Sequence, residues 1–449
     1  MDRRYTHERY LSSVNPTGSS LTITRFSAHL KTSHAMKFNS GFSLHRFLLS
    51  RFCAALGDQI LMFAVPLVIL KQTGSVGYSG LAFAIEWAPR LLLLPLSGTL
   101  ADRVDVRKLY RFADGTRVLT VLAASTLLWI YPGSIFATVS TMMAVLAICH
   151  SLAFISMEAT LPRQLSPSEM PKAQAILQGS DQLSQVLGPA AAALAVSFIP
   201  LETLIASASV SFTISFLNAL NLPMTEAPRA AGPWSLKLIG ETYSQAFQIV
   251  RLRPILIQLC SLTWIINVVY GTILVVLPAI ILQTYQLPER TFGILQTVSA
   301  IASIGAFFLV PRLQKSVGLV GIGAIASVFA MGGSLVASAS PWFLLFAAGS
   351  IAVLASGGLF NVYIRTTRAQ VIPKEHFGKT TGLIILINNA SLPLNGVLIS
   401  GMALSFSPLE ILGILSFAAT ALFVLVLAAG KHFIGYKTIM PSLEFEAPR

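Results

Sequence analysis

The sequence reads as an all-α membrane protein: twelve transmembrane helices in two pseudo-symmetric six-helix bundles. That reading rests on its composition, on the length of its apolar runs and on the sorting of its charges. Of 449 residues, 54% are hydrophobic and 11% charged, whereas a soluble globular domain carries about a quarter charged residues. The apolar residues are not spread evenly. They gather in runs close to the ~20 residues that a spanning helix needs. Twelve such runs and their short connections use most of the chain.

The runs and connections alternate in charge along the chain. Arg46 and Arg51 stand before and within the first span, 46–70, and Lys71 follows it. The second span, 76–99, leads into Arg103, Arg107 and Lys108, and the third occupies 109–130. The fourth, 135–157, is followed by Arg163, and the fifth and sixth fill 172–197 and 203–221. Arg229, Lys237, Arg251 and Arg253 precede the seventh, 254–282. Arg290 introduces the eighth, 291–311, and Arg312 and Lys315 separate it from the ninth, 317–338. The tenth, 341–363, leads into Arg365, Arg368, Lys374 and Lys379. The eleventh and twelfth take 377–403 and 408–430, with Lys431 and Lys437 beyond. The seventh and eleventh runs are long, so tilting or a break near Pro278 and Pro393 is expected.

Every second connection is basic, and Lys71 and Arg290 are the exceptions on the other side. Cytoplasmic loops carry the excess of Lys and Arg, which places both termini in the cytoplasm of a multi-pass inner (plasma) membrane protein. The same sorting accounts for the net charge of +13 without nucleic acid, for which no basic and aromatic stripe exists. Cys53, Cys149 and Cys260 sit singly in apolar runs, so they read as small buried hydrophobes.

Five segments follow. Residues 1–43 read as a disordered cytoplasmic tail, polar and basic, in which Met36 offers a second start. Residues 44–222 form the first six-helix bundle, 223–253 a cytoplasmic linker with an amphipathic helix from Trp234 to Val250, and 254–430 the second bundle. Residues 431–449 are a cytoplasmic tail. The halves echo one another: Gln164, Pro167 and Glu169 after the fourth span match Gln370, Pro373 and Glu375 after the tenth. Repeated halves with a substrate site between them at mid-membrane are a recurrent transporter design.

Between the second and third spans lies Gly98-Thr-Leu-Ala-Asp102-Arg103-Val-Asp-Val-Arg107-Lys108. Gly98 permits close helix approach, and Asp102 at a helix end can take backbone amides and pair with a basic side chain. This loop resembles the cytoplasmic signature of the major facilitator superfamily, Gly-x-x-x-Asp-Arg-x-Gly-x-Arg-Arg, with Asp105 in place of the second Gly. The resemblance implies that family's fold and an inner-surface latch of Gly98, Asp102, Arg103, Arg107 and Lys108, to which Asp114 and Arg117 are added. In the fifth span, Ala175, Ser184, Gly188-Pro189 and Ala192-Ala193 resemble the family's antiporter signature, with small residues at most of its Gly sites. Ordinary helix packing at Gly188 and Pro189 is the rival reading. Gly57-Asp58, Val65-Pro66, Thr73-Gly74-Ser75, Asp114 and the stretch from Leu161-Pro162 to Gly188-Pro189 resemble the branch of enterobactin and carboxylate-siderophore exporters and macrolide efflux permeases. That branch implies a proton-coupled exporter of a small organic molecule, with a multidrug or macrolide permease as the alternative.

Ionisable side chains inside spans are costly and mark function by default. An antiporter needs a carboxyl that holds a proton in one state and releases it in another. Asp58 and Glu86 are the candidates, with Arg90 four residues from Glu86 as tuning partner and Asp181 next in order. A purely structural Glu86–Arg90 pair is the alternative. Gln182, Gln185, Asn267, Tyr270, Asn388 and Asn389 are candidates to line a cavity or to join helices. Asn395 belongs with these, and His150 reads as a structural hydrogen-bonding group. No Gly-x-x-x-x-Gly-Lys-Ser/Thr loop, zincin helix, Ser elbow or Cys/His cluster is present. The sequence therefore predicts no catalytic residue, metal or cofactor. The expected partners are protons, lipid and a small-molecule substrate, and a monomer is expected.

Overall fold

The computed structural model describes residues 44–101, 104–164, 170–220, 236–373 and 376–431. All regular structure in them is helical. The first half contains α1 (Leu44–Thr73), α2 (Val76–Ala101), α3 (Val106–Ile130), α4 (Ile135–Gln164), α5 (Met170–Phe198) and α6 (Leu201–Leu220). The amphipathic α7 (Leu236–Arg251) follows. The second half contains α8 (Pro254–Ala279), α9 (Arg290–Ser316), α10 (Gly318–Ser338), α11 (Phe343–Val371), α12 (Phe377–Asn389), α13 (Ser391–Met402) and α14 (Pro408–Lys431). The two tails, Asp102, Arg103, residues 165–169 of the first echo segment and Lys374 and Glu375 of the second lie outside the described residues.

Among the described residues, nine stretches are long and apolar enough to cross a membrane. The other three helices of spanning length are α2, α3 and α5, which carry Glu86, Arg90, Asp114, Arg117 and Asp181. The outward faces are apolar in the manner of a lipid-facing surface. Leu344 is 80% exposed, Phe417 71% and Phe308 77%, which in water would be a large uncompensated patch.

The helices pack in a repeated plan. In the first half α1 lies against α5 and α6, α2 against α4, and α3 against α4 and α6. In the second half α8 lies against α13 and α14, α9 against α11, and α10 against α11 and α14. Each pairing has its counterpart six spans later. The two most extensive contacts between the halves, α2 with α13 and α5 with α9, also exchange under the same operation. The folded chain is therefore two pseudo-symmetric sets of six spans.

Both long spans are interrupted. After Pro278, the seventh continues as a π-helical turn, Ile280–Thr284. The eleventh breaks at Ala390, between α12 and α13. Pro393 has no N–H for the carbonyl of residue 389 and its ring crowds that turn. Side chains occupy the loosened backbone: Asn267 Nδ2 and Ser391 Oγ both donate to the carbonyl of Asn388, at 3.0 and 2.6 Å.

The halves meet tightly at the end that carries Gly74. There a Cβ on Gly80 would lie 2.7 Å from the carbonyl oxygen of Gly396, and one on Gly396 2.5 Å from that of Gly80. Gln283 Nε2 donates to the carbonyl of Gly74 at 2.9 Å, and Lys71 pairs with Glu289 at 2.5 Å. At the opposite end, Lys379 Nζ donates to Gln245 Oε1 at 2.7 Å, tying α12 to α7. Arg253 there donates to the carbonyl of Val371. Both of these contacts stay within the second half and its preceding helix.

Candidate functional site

Between the halves lies a cavity of about 450 Å³, a volume suited to a small-molecule ligand. Helical periodicity selects its lining. On α1, Arg51, Ala55, Asp58, Gln59, Met62, Phe63 and Pro66 recur at three- and four-residue steps. Trp87 and Arg90 come from α2, His150 and Phe154 from α4, and Asp181, Gln185 and Pro189 from α5. The second half contributes a neutral wall: Asn267 and Tyr270 of α8, Gln296, Ser299 and Ser303 of α9, and Asn389. Phe63 and Phe292 also line the cavity. Their rings stack across the two halves with centroids 4.1 Å apart.

The first-half wall is a network of charges drawn from five helices. Arg117 of α3 is fully buried and donates to two carboxylates, Asp58 Oδ2 at 3.2 Å and Asp114 Oδ1 at 3.2 Å. Its guanidinium lies 5.2 Å from the ring centroid of Phe212. His150 Nδ1 meets the same Asp58 oxygen at 3.0 Å. Arg90 stands over the Trp87 ring at 4.7 Å, with Glu86 Oε1 at 3.8 Å. Arg51 and Asp181 close the network at 3.7 Å. Buried charge needs this pairing, because a carboxylate or guanidinium alone in a low-dielectric interior is strongly disfavoured.

The structure thus brings Asp58, Glu86, Arg90 and Asp181 together. It also brings Asp114 and Arg117 into the same network, where both side chains are 0% exposed, within the bundle. Of the loop residues, Gly98 ends in α2, Lys108 is exposed on α3, and Asp102 and Arg103 lie outside the described residues. Asp105, where the signature has Gly, caps α3: its Oδ1 accepts from the backbone N–H of Arg107 at 2.9 Å, an ordinary N-cap role.

Gly188 fits where α5 crosses α1, since a Cβ there would fall 2.4 Å from Gln59 Cβ. Pro189 and Gln185 face the cavity, and the side chain of Gln182 lies outside the described residues. Asn267, Tyr270 and Asn389 line the cavity. Asn388 does not. It is 3% exposed and turned toward α8 and α11, where its amide, with oxygen and nitrogen exchanged so that both atoms are satisfied, donates to the carbonyl of Cys260 at 3.2 Å and accepts from Arg368 at 3.0 Å. Asn395 is likewise internal, donating to the carbonyl of Val268 at 3.1 Å and bonded to Thr272.

Charge sorting in the sequence places Arg51 at the membrane surface and gives His150 only a structural hydrogen bond, whereas both side chains line the cavity. The three-residue and four-residue steps of Arg51, Ala55 and Asp58 were the available clue for the first. Nothing local marked His150, whose partner is 92 positions away. Among the described residues, no cluster of three His, Cys, Asp or Glu side chains has the arrangement of a metal site.

Comparison with known proteins gives this arrangement its family. The sequence matches the profile of the Major Facilitator Superfamily over residues 47–391. The staphyloferrin A transporter of Staphylococcus aureus (strain NCTC 8325 / PS 47) is 23% identical over 410 residues, covering 85% of this chain and 95% of that one. The nucleoside transporter NupG superposes with a TM-score of 0.69 at 11% identity, covering 86% of this chain and 99% of NupG. A bacterial homologue of the iron transporter ferroportin, in its inward-facing state, gives 0.63 at 18% identity, covering 85% of this chain and 98% of that one. The family match spans most of the chain and both halves of the helical repeat: the protein is a multi-pass membrane transporter of small molecules and belongs to the Major Facilitator Superfamily.

Proposed function

We propose that the protein is a proton-coupled exporter of a small organic anion, with siderophores as the favoured class. The observation that carries this reading is the asymmetry of the cavity. All of its charged groups stand on the first-half wall, and the second-half wall supplies amides and hydroxyls. A substrate with anionic groups on one side and neutral polar groups on the other matches that division. Arg90 is the cavity cation with capacity to spare. Its side chain is 22% exposed and its acidic neighbour stands at 3.8 Å, beyond hydrogen-bonding distance. Arg117 is sealed and doubly engaged. A lipophilic cation, the cargo of the multidrug alternative, needs a free carboxylate. Asp58 is held by Arg117 and His150 within hydrogen-bonding distance, which favours the anion there; Asp181, 3.7 Å from Arg51, is the carboxylate that the multidrug alternative would use. The Staphylococcus aureus relative, named for staphyloferrin A, agrees with this reading at a distance.

In this reading both termini are cytoplasmic, 223–253 is the cytoplasmic linker between domains 44–222 and 254–430, and the protein works as a monomer in the inner membrane. The charge sorting of the loops then makes the Gly74 end the outer one, so the cavity is closed to the outside. Asp58 and Glu86 carry the exchanged proton, and Gly98, Asp102, Arg103, Arg107 and Lys108 latch the inner side in the opposite conformation.

The test uses purified protein in inside-out vesicles with an imposed pH gradient. Uptake of a carboxylate siderophore that dissipates the gradient, and that Arg90→Gln abolishes, is the expected result. Uptake of a macrolide instead, unaffected by Arg90→Gln, selects the multidrug alternative. Uptake that leaves the gradient intact overturns proton coupling.

A further inference from the structure

Behind the wall of the main cavity lies a second, much smaller pocket of about 10 Å³. It is bounded by Asp58 and Leu61 of α1, Glu86 and Arg90 of α2, and Met143, Leu146 and Ala147 of α4. Its size is about the room that one water molecule needs. Three of the seven bounding side chains are ionisable. Two of these bring unmet hydrogen-bonding groups: Glu86 Oε1 and Arg90 Nε are buried and have no hydrogen-bond partner. The Glu86 side chain is only 4% exposed. Leaving such atoms unsatisfied is expensive, and a polar pocket with two to four partners is where a buried water resides.

The charges around the pocket do not cancel. Asp58, Glu86, Asp114 and Asp181 are the carboxyls of the network, and Arg51, Arg90 and Arg117 its guanidiniums. Arg51 and Asp181 offset one another. Two guanidiniums then remain for three carboxyls. An uncompensated charge at this depth costs roughly 3 kcal/mol on insertion scales, so the network is neutral when it holds one proton. The other titratable side chains packed here are His150 and Cys149 of α4 and Tyr110 of α3. Tyr110 is bonded to Ser215 of α6. Asp114 is sealed on the far side of Arg117, away from both pockets. Asp58 and Glu86 are the two carboxyls that share the small pocket, and Asp58 also lines the main cavity beside His150.

We propose that a water molecule in this pocket joins Glu86 to Asp58, so that the two carboxyls act as one unit sharing a single proton. The transfer is symmetric. The O–H bond of the Glu86 acid breaks as its proton passes to the water. The water gives one of its own protons to the Asp58 carboxylate, where a new O–H bond forms, and the water is left unchanged. Asp58 then exchanges with the cavity beside His150. This inference deepens the proton-coupled reading and rests on it. It replaces a choice between Asp58 and Glu86 by a shared site.

The experiment is an infrared pH titration of the purified protein in lipid, without ligand, following the carboxylic-acid carbonyl band in H₂O and D₂O. The variants are Asp58→Asn, Glu86→Gln, the double variant and Ala147→Val, whose added methyls enter the pocket. Wild type is expected to show one titrating acid. Each single variant should move its midpoint, and the double variant should remove it, with an effect unlike the sum of the singles. Ala147→Val should leave an acid whose band no longer responds to the other carboxyl. Additive single variants, or Ala147→Val behaving as wild type, overturn the shared site. If Ala147→Val does not accumulate, the cycle of Asp58→Asn and Glu86→Gln decides alone. The vesicle assay keeps the two ideas separate. A wild type that transports without dissipating a pH gradient removes proton coupling, whereas a coupled wild type with additive carboxyls removes only the sharing.

Discussion

At the scale of single residues, Arg117 is the group on which the first half depends. It anchors two carboxylates that belong to different helices, and nothing else in the network reaches both. Removing one member of a buried ion pair costs about 3–5 kcal/mol, because the charge left behind has no solvent. Arg117→Gln is therefore expected to reduce folded protein severely, measured as monodisperse yield and melting temperature in detergent. Asp114→Asn in the same background should recover part of the loss, since it removes one of the stranded charges. Recovery to the wild-type melting temperature by Arg117→Gln alone would show that the pairing is dispensable. That these residues matter was legible in the sequence, because charge inside an apolar run is rare. Which of them meet was not: Arg117 and Asp58 are 59 positions apart, and their contact exists only once α1 and α3 are packed.

At the scale of elements, glycines and prolines set the geometry. Gly80 and Gly396 bring α2 and α13 into backbone contact across the two halves. Gly396→Val places new atoms against the carbonyl of Gly80, where even a Cβ has only 2.5 Å. Overpacking of this kind costs about 1–3 kcal/mol, and here the penalty falls on the conformation in which the Gly74 end is closed. Transport should fall on the order of tenfold, with spin-label distances between α2 and α13 shifted to longer values. Unchanged distances would remove the contact from the conformational cycle. The break in the eleventh span was readable from Pro393, although it appears at Ala390, because a proline disturbs the turn before it. Asn395 shows the limit of such reading. Its bonds to Val268 and Thr272 tie α13 to α8, and Asn395→Leu should cost about 1–2 kcal/mol in thermal stability while leaving the cavity lining intact. A loss of substrate affinity at unchanged stability would instead make it part of the cavity.

For the whole molecule, the contacts at the Gly74 end join the two halves on one side of the cavity. The Lys71–Glu289 pair and the Gln283–Gly74 hydrogen bond lie at that end, and the Phe63–Phe292 stack bridges the halves in the cavity wall. If the halves rock about the cavity, these contacts open together. Cysteines introduced as Lys71→Cys and Glu289→Cys should cross-link readily and stop transport, and reduction should restore it. Full transport by the cross-linked protein would mean that this end stays closed throughout the cycle. Lys71 was visible in the sequence as an exception to the charge sorting, and its partner Glu289 accounts for it.

The sequence by itself determined the class of protein, the number and order of the spans, the alternation of basic loops and the loop signature between the second and third spans. Each of these is written locally, in runs of apolar residues and in short motifs, so it survives without knowledge of distant contacts. The tertiary structure decided what the intramembrane charges do to one another. It joined Asp114 and Arg117 to Asp58, moved Arg51 and His150 to the cavity and turned Asn388 away from it. These assignments depend on which helix faces which, and a helix presents every side around its axis until its neighbours are placed.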